Sequence, residues 1–187
     1  MEETILFIDA GYLSFISKLL GEGKPLKYKL EEFATNICKR FNLISKRTYF
    51  YIAPPYQSPN PTPEENKRRA SYDRFIRKIK RVKPRIIVRE GRLQRTNEGF
   101  SQKGVDTLIT MDLLKTAMKK EVDEIIIITS DTDFVPIIED IREEEKLKVN
   151  LAYYTDKKRK SAFSLSNHLW KAVDKKVLIR EEDFYKN

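Results

Sequence analysis

"IIIITSDTDFVPIIEDI", residues 125–141, sets four consecutive isoleucines ahead of Asp131 and Asp133 and then returns to apolar residues. A short unbroken apolar run has the character of a strand covered on both faces, as in a parallel sheet. A carboxylate at the end of such a strand loses hydration and needs a compensating partner. The stretch therefore predicts a buried central strand that delivers two aspartates to the rim of a sheet.

The same pattern opens the chain. "TILFIDA" predicts a central strand from Thr4 to Asp9, and Gly11 directly after it predicts a tight turn. Helices follow over "YLSFISKLL" and "LEEFATNICKRFNL", then a strand over "RTYFYIAPP", and a helix from Pro63 to about Arg81. "RIIVREGRL" reads as a strand, "RTNEGFSQKG" as a glycine-bearing loop and "VDTLITMDLLKTAMKK" as a helix. After the isoleucine strand come a helix over "DFVPIIEDIREEE", a strand over "KVNLAYY", a loop over "TDKKRKSAFS", a helix over "LSNHLWKAV" and an edge strand over "KVLI". Strands alternating with helices of this length imply βαβ units and a parallel sheet with helices on both faces. Residues 1–187 are expected to form a single domain, large enough to bury a core without a staple.

Composition narrows the chemistry. No apolar run reaches the roughly 18 residues of a membrane span, so a soluble cytoplasmic chain is expected. One cysteine, Cys38, and one histidine, His168, exclude a disulfide, a multi-cysteine zinc site and an HExxH cluster. Cys38 shares a helical face with Leu30, Phe33, Ile37 and Phe41 and reads as a core residue, and His168 draws a similarly structural reading. Any metal must sit on oxygen. The surplus of 37 Lys+Arg over 28 Asp+Glu favours a polyanionic partner.

In an open parallel sheet the ligand crevice lies beyond the carboxyl ends of the strands. Asp9 ends the first strand, Asp131 and Asp133 follow the isoleucine strand, and Asp106 stands at a helix start after "QKGV". Each has a structural alternative: Asp106 as a first-turn carboxylate and Asp131 or Asp133 as an N-cap. A cap accounts for only one of that pair. Their convergence on one rim points to a site in which like charges are offset by Mg²⁺ or Mn²⁺, and so to metal-assisted hydrolysis of a phosphate ester. Asp131 is the choice for a direct ligand, and Asp133 for a water-mediated one that also caps.

"LFIDAGYL", "KGVDTLITMDLL" and "IIITSDTDFVPIIEDIRE" resemble, in order and spacing, the three motifs of the NYN domain, specifically its LabA-like branch within the PIN-like nuclease superfamily. "SAFSLSNHLWKAVD" resembles the family's closing segment. The resemblance implies a Rossmann-like three-layer α/β sandwich and a Mg²⁺- or Mn²⁺-dependent ribonuclease site. Asp9, Asp106, Asp131 and Asp133 match its catalytic acids, with Asp9, Asp106 and Asp131 as metal ligands. Asp112 matches a second acidic position of the middle motif but lies about 240° round the helix from Asp106, in a supporting or structural place. Ser130 is placed to hydrogen-bond a metal water or a phosphate, and Tyr12 stands where many members carry Asn.

Arg68 and Arg69 begin the densest basic segment, which reads either as a solvated helix face or as a phosphate-binding surface. Lys157, Lys158, Arg159 and Lys160 are expected to overhang the carboxylate rim, with Ser161 and Ser164 on phosphate and Tyr154 or Phe163 stacking a base. Lys103 joins this RNA-binding set. A homodimer stays open. "DTDFV" also fits the DxDx[TV] motif of haloacid-dehalogenase phosphatases, which that fold places on its first strand, and a DxD glycosyltransferase is less favoured because no nucleotide-binding region stands out in this sequence. A non-catalytic RNA-binding or adaptor module is the rival from another class.

Overall fold

The computed structural model of the chain describes residues 1–97, 99–155 and 166–185. Six parallel strands form one sheet: β1 (Glu2–Asp9), β2 (Leu43–Ile52), β3 (Arg85–Glu90), β6 (Glu124–Ile128), β7 (Lys148–Tyr153) and β8 (Lys175–Leu178). Their spatial order is β3-β2-β1-β6-β7-β8, so β3 and β8 are the edges. The chain winds outward from β1 in one direction and from β6 in the other. The topological switch point therefore falls between the two strands that end in Asp9 and lead to Asp131.

Registration explains why these strands are central. Ile5–Ile8 of β1 lie opposite Ile125–Ile128 of β6, and all eight positions are buried. Even-numbered members (Leu6, Ile8, Ile126, Ile128) pack under α1 (Ala10–Leu20), α2 (Leu30–Arg40) and α3 (Pro63–Ile79). Odd-numbered members (Ile5, Phe7, Ile125, Ile127) pack under α4 (Val105–Lys119), α5 (Val135–Glu143) and α6 (Asn167–Ala172). Both faces are covered, as the unbroken apolar runs require. Cys38 is on the buried face of α2 with its thiol pushed up to about 12 by desolvation, which makes it a core residue.

Three local expectations change. Gly11 makes no separate turn; it lies in the first turn of α1, which starts directly at Ala10 because Asp9 caps it. The strand read through "RIIVREGRL" breaks at Gly91, and the supposed loop beyond it is an antiparallel hairpin of β4 (Arg92–Thr96) and β5 (Gly99–Lys103). A Cβ at Gly91 would lie 2.6 Å from Val105 Cγ2 and 2.7 Å from the Lys103 carbonyl oxygen, so only glycine lets the hairpin base sit this close to α4. The helix expected over "DFVPIIEDIREEE" begins two residues late: Thr132–Phe134 form a short 3-10 turn, and α5 starts at Val135.

A 3-10 turn at Glu181–Phe184, absent from the sequence reading, closes the fold against α2. Asn36 Nδ2 donates to the carbonyls of Asp183 (3.2 Å) and Tyr185 (2.6 Å), and Arg40 donates to Asp183 Oδ2 at 2.8 Å. Phe184 is fully buried with ring centroids 4.7 Å from Phe33 and 4.8 Å from Tyr28. Phe184→Ala should cost about 3–5 kcal/mol of unfolding free energy, read from urea denaturation; a loss below about 1 kcal/mol would show that this turn is not part of the cooperative core.

Candidate functional site

Asp9 leaves β1 with extended backbone angles (φ −72°, ψ 112°) and turns its carboxylate back onto α1. Its Oδ1 accepts hydrogen bonds from the N–H groups of Gly11 (2.8 Å) and Tyr12 (3.4 Å). A Cβ at position 11 would stand 3.2 Å from that oxygen, so glycine keeps the approach open. Asp131 repeats the device beyond β6, with φ −76° and ψ 125°, its Oδ1 accepting from Asp133 N at 2.9 Å. The N–H of Asp131 donates to Thr129 Oγ1 at 3.1 Å. The capping member of the pair is thus Asp131 and not Asp133, which is exposed in the 3-10 turn.

A cap contributes about 1 kcal/mol and occupies one carboxylate oxygen. Among the described residues no donor meets Oδ2 of Asp9 or Asp131, so each cap leaves a second oxygen that they do not claim. Asp106 stands in the first turn of α4, exposed, and its carboxylate accepts no hydrogen bond among the described residues.

The three carboxylates feel one another. Burial holds the Asp9 carboxyl above its ordinary value; the Gly11 and Tyr12 N–H groups oppose this, and the charges of Asp106 and Asp131 add to it. Asp106 is raised by desolvation first and then by Asp131 and Asp133. Asp131 is the neighbour common to both.

The supporting residues divide. Asp112 is buried in a bidentate pair with Arg89 (Nε–Oδ2 2.7 Å, Nη2–Oδ1 3.2 Å) and accepts from Tyr51 Oη at 3.1 Å. It ties α4 to β2 and β3, and it is not among the charges that raise Asp9 or Asp106. Tyr12 points into the core; its hydroxyl accepts from Tyr154 N at 2.9 Å, and burial pushes it up to about 12. The ring of Tyr154 is half-buried against the same core. Ser130 is half-buried beside Asp131.

The family model of the NYN domain matches residues 3–174. The chain belongs to the NYN domain family. NYN domains are PIN-like and fall in a superfamily of ribonuclease-like hydrolases that usually use divalent metal ions. Among solved structures, a Vibrio parahaemolyticus protein of unknown function is similar in fold, with a TM-score of 0.61 and 17% identity over 98% of this chain and 95% of that one. No curated protein matches the sequence.

The basic residues singled out in the sequence of this NYN domain fall in different places. Arg68 lines an open groove of about 490 Å³ with Ala53, Pro55, Lys67, Ser71 and Tyr72, beyond the carboxyl end of β2 and so on the rim that carries Asp9. Arg69 is engaged on its own helix, 3.1 Å from Asp73 and 5.7 Å from the Tyr72 ring centroid. Lys103 is exposed at the end of β5, close before Asp106 in sequence. Lys157, Lys158, Arg159, Lys160 and Ser161 lie outside the described residues, as do Phe163 and Ser164. Among the described residues no helix is long and apolar enough to cross a membrane. Sequence reasoning missed Arg89 and Tyr51; an arginine just after the apolar core of "RIIVRE" was the available signal.

The raised carboxyls fix the sign of a pH effect. A folded-state pKa above the ordinary 3.8 means that ionised Asp106 opposes folding, fully above the raised value and not at all below the ordinary one. In metal-free buffer Asp106→Asn should therefore melt higher than the unaltered protein near neutral pH, with the gap closing toward about pH 4. Thermal scans across that range in EDTA check it; a gap that is absent or grows on acidification would contradict the clustering of charge.

Proposed function

We propose that this chain is a divalent-metal-dependent ribonuclease of the LabA-like branch, acting on single-stranded or structured RNA. The reading rests on one observation: two capping carboxylates and one first-turn carboxylate converge at the switch point, each with an oxygen unclaimed by the described residues. The branch assignment rests on the three motifs.

The donor set fits a hard cation. It is all oxygen, since Cys38 is buried in the core and His168 is exposed on α6. Among the described residues no three or more His, Cys, Asp or Glu are grouped to hold an ion directly. Mg²⁺ suits such a site, because it keeps several waters and takes only one or two carboxylates. Asp9, Asp106 and Asp131 would hold the ion, Asp131 directly and Asp133 through water. The ion would supply positive charge to the phosphate and a water acidic enough to attack it.

The chain's own residues do the rest. Gly11, Tyr12 and Thr129 fix the acidic loops so that little reorganisation is needed on binding. Arg68 and Lys103 draw the phosphate backbone toward the rim, and Ser130 is placed to donate to a phosphate oxygen or a water.

The absence of a ready three-ligand group among the described residues and the buried Tyr12 favour one rival, a non-catalytic RNA-binding module. The phosphatase reading loses ground because "DTDFV" follows β6 and not the first strand.

Cleavage of end-labelled RNA with Mn²⁺ tests the proposal. Asp9→Asn and Asp131→Asn, which keep a capping side chain, should each lower the rate by about a hundredfold or more, and Asp133→Asn by about tenfold. Unchanged cleavage in Asp131→Asn sinks the metal site, and binding without cleavage by the unaltered protein supports the module instead.

A further inference from the structure

Apart from Lys103, nothing in the proposed chemistry uses the β4–β5 hairpin, and its surface is unusual. Facing residues are Arg92 with Lys103 and Arg95 with Phe100. Side chains alternate along a strand, so Arg92 and Lys103 share one face while Arg95 and Phe100 share the other. Like charges directly opposite one another destabilise a strand pair. Among the described residues no carboxylate pairs with Arg92, Arg95 or Lys103. Phe100 is 60% exposed, with one side against Tyr56 at a centroid distance of 5.1 Å.

An isolated two-stranded hairpin is marginal in water. This one is held at its base. Gly91 N donates to the Ile52 carbonyl at 2.9 Å, and Gly91 lies against Lys103 and Val105. The hairpin is therefore anchored to the end of β2 and to the start of the helix that carries Asp106.

Resting on the ribonuclease reading, we infer that the hairpin is a single-strand-binding arm. Phe100 stacks an unpaired base, Arg92, Arg95 and Lys103 contact phosphates, and the strand is led past the hairpin base to Asp106. A paired base keeps its faces stacked within the duplex and cannot use Phe100, so the arm selects single-stranded over duplex RNA.

Fluorescence anisotropy in EDTA, with a labelled 20-nucleotide RNA and its blunt duplex, separates binding from cleavage. Phe100→Ala should weaken single-strand binding about tenfold and leave duplex binding unchanged, and Phe100→Trp should restore it. Arg92→Ala with Lys103→Ala should lower the slope of log affinity against log salt by about 1.4. Equal single-strand affinity in Phe100→Ala, equal loss on the duplex, or no single-strand binding by the unaltered protein overturns the arm. If the unaltered protein binds and cuts while Phe100→Ala binds equally, only the arm fails; if it binds through Phe100 without cutting in Mn²⁺, only the ribonuclease reading fails.

Discussion

The parallel pairing of β1 with β6, residue for residue over Ile5–Ile8 and Ile125–Ile128, is the constraint on which the rest of the molecule hangs. Two fully buried strands running side by side must end at the same level, and the chain must leave them to opposite faces of the sheet. Each exit leads into helical structure, directly after β1 and across three residues after β6, so each needs a group to receive the first free N–H donors. Aspartate does this at both exits. Two negative charges are thereby set near one another by the ordinary demands of strand-to-helix junctions.

This makes the contrast between a structural and a functional aspartate less sharp than it first looks. At Asp9 and Asp131 one oxygen serves the backbone, and the same bond fixes the direction of the other. Asp112 shows the alternative outcome: both of its oxygens are engaged by Arg89 and one also by Tyr51, and it braces α4 instead.

The sheet, its helices and the acids that stand beyond two central strands and at a helix start were legible because their signals are local: unbroken apolar runs, helical spacing, and an acid just beyond a strand. Gly11 misled, since glycine after a strand usually marks a turn, whereas a capping Asp9 lets the helix begin with no turn at all. The hairpin was hidden because only Leu93 and Phe100 along it are large and apolar, too few for an alternating pattern, and its order comes from the Gly91 contact with α4. The Arg89–Asp112 pair joins residues on different elements, which no window of sequence displays. The identity of the capping member of Asp131 and Asp133 depended on backbone angles rather than on residue type.

An open parallel sheet has two unpaired edges, and exposed edges invite other chains to add strands. Here β3 begins with Arg85 and β8 carries Lys176, neither of them in an ion pair among the described residues, whereas Arg89 and Lys175 on the same strands are held by Asp112 and Glu124. Cations placed along both margins repel a second basic chain as it approaches in register. Charge of this kind needs no ligand to matter: at a sheet margin it disfavours the addition of a further strand to an isoleucine-rich sheet.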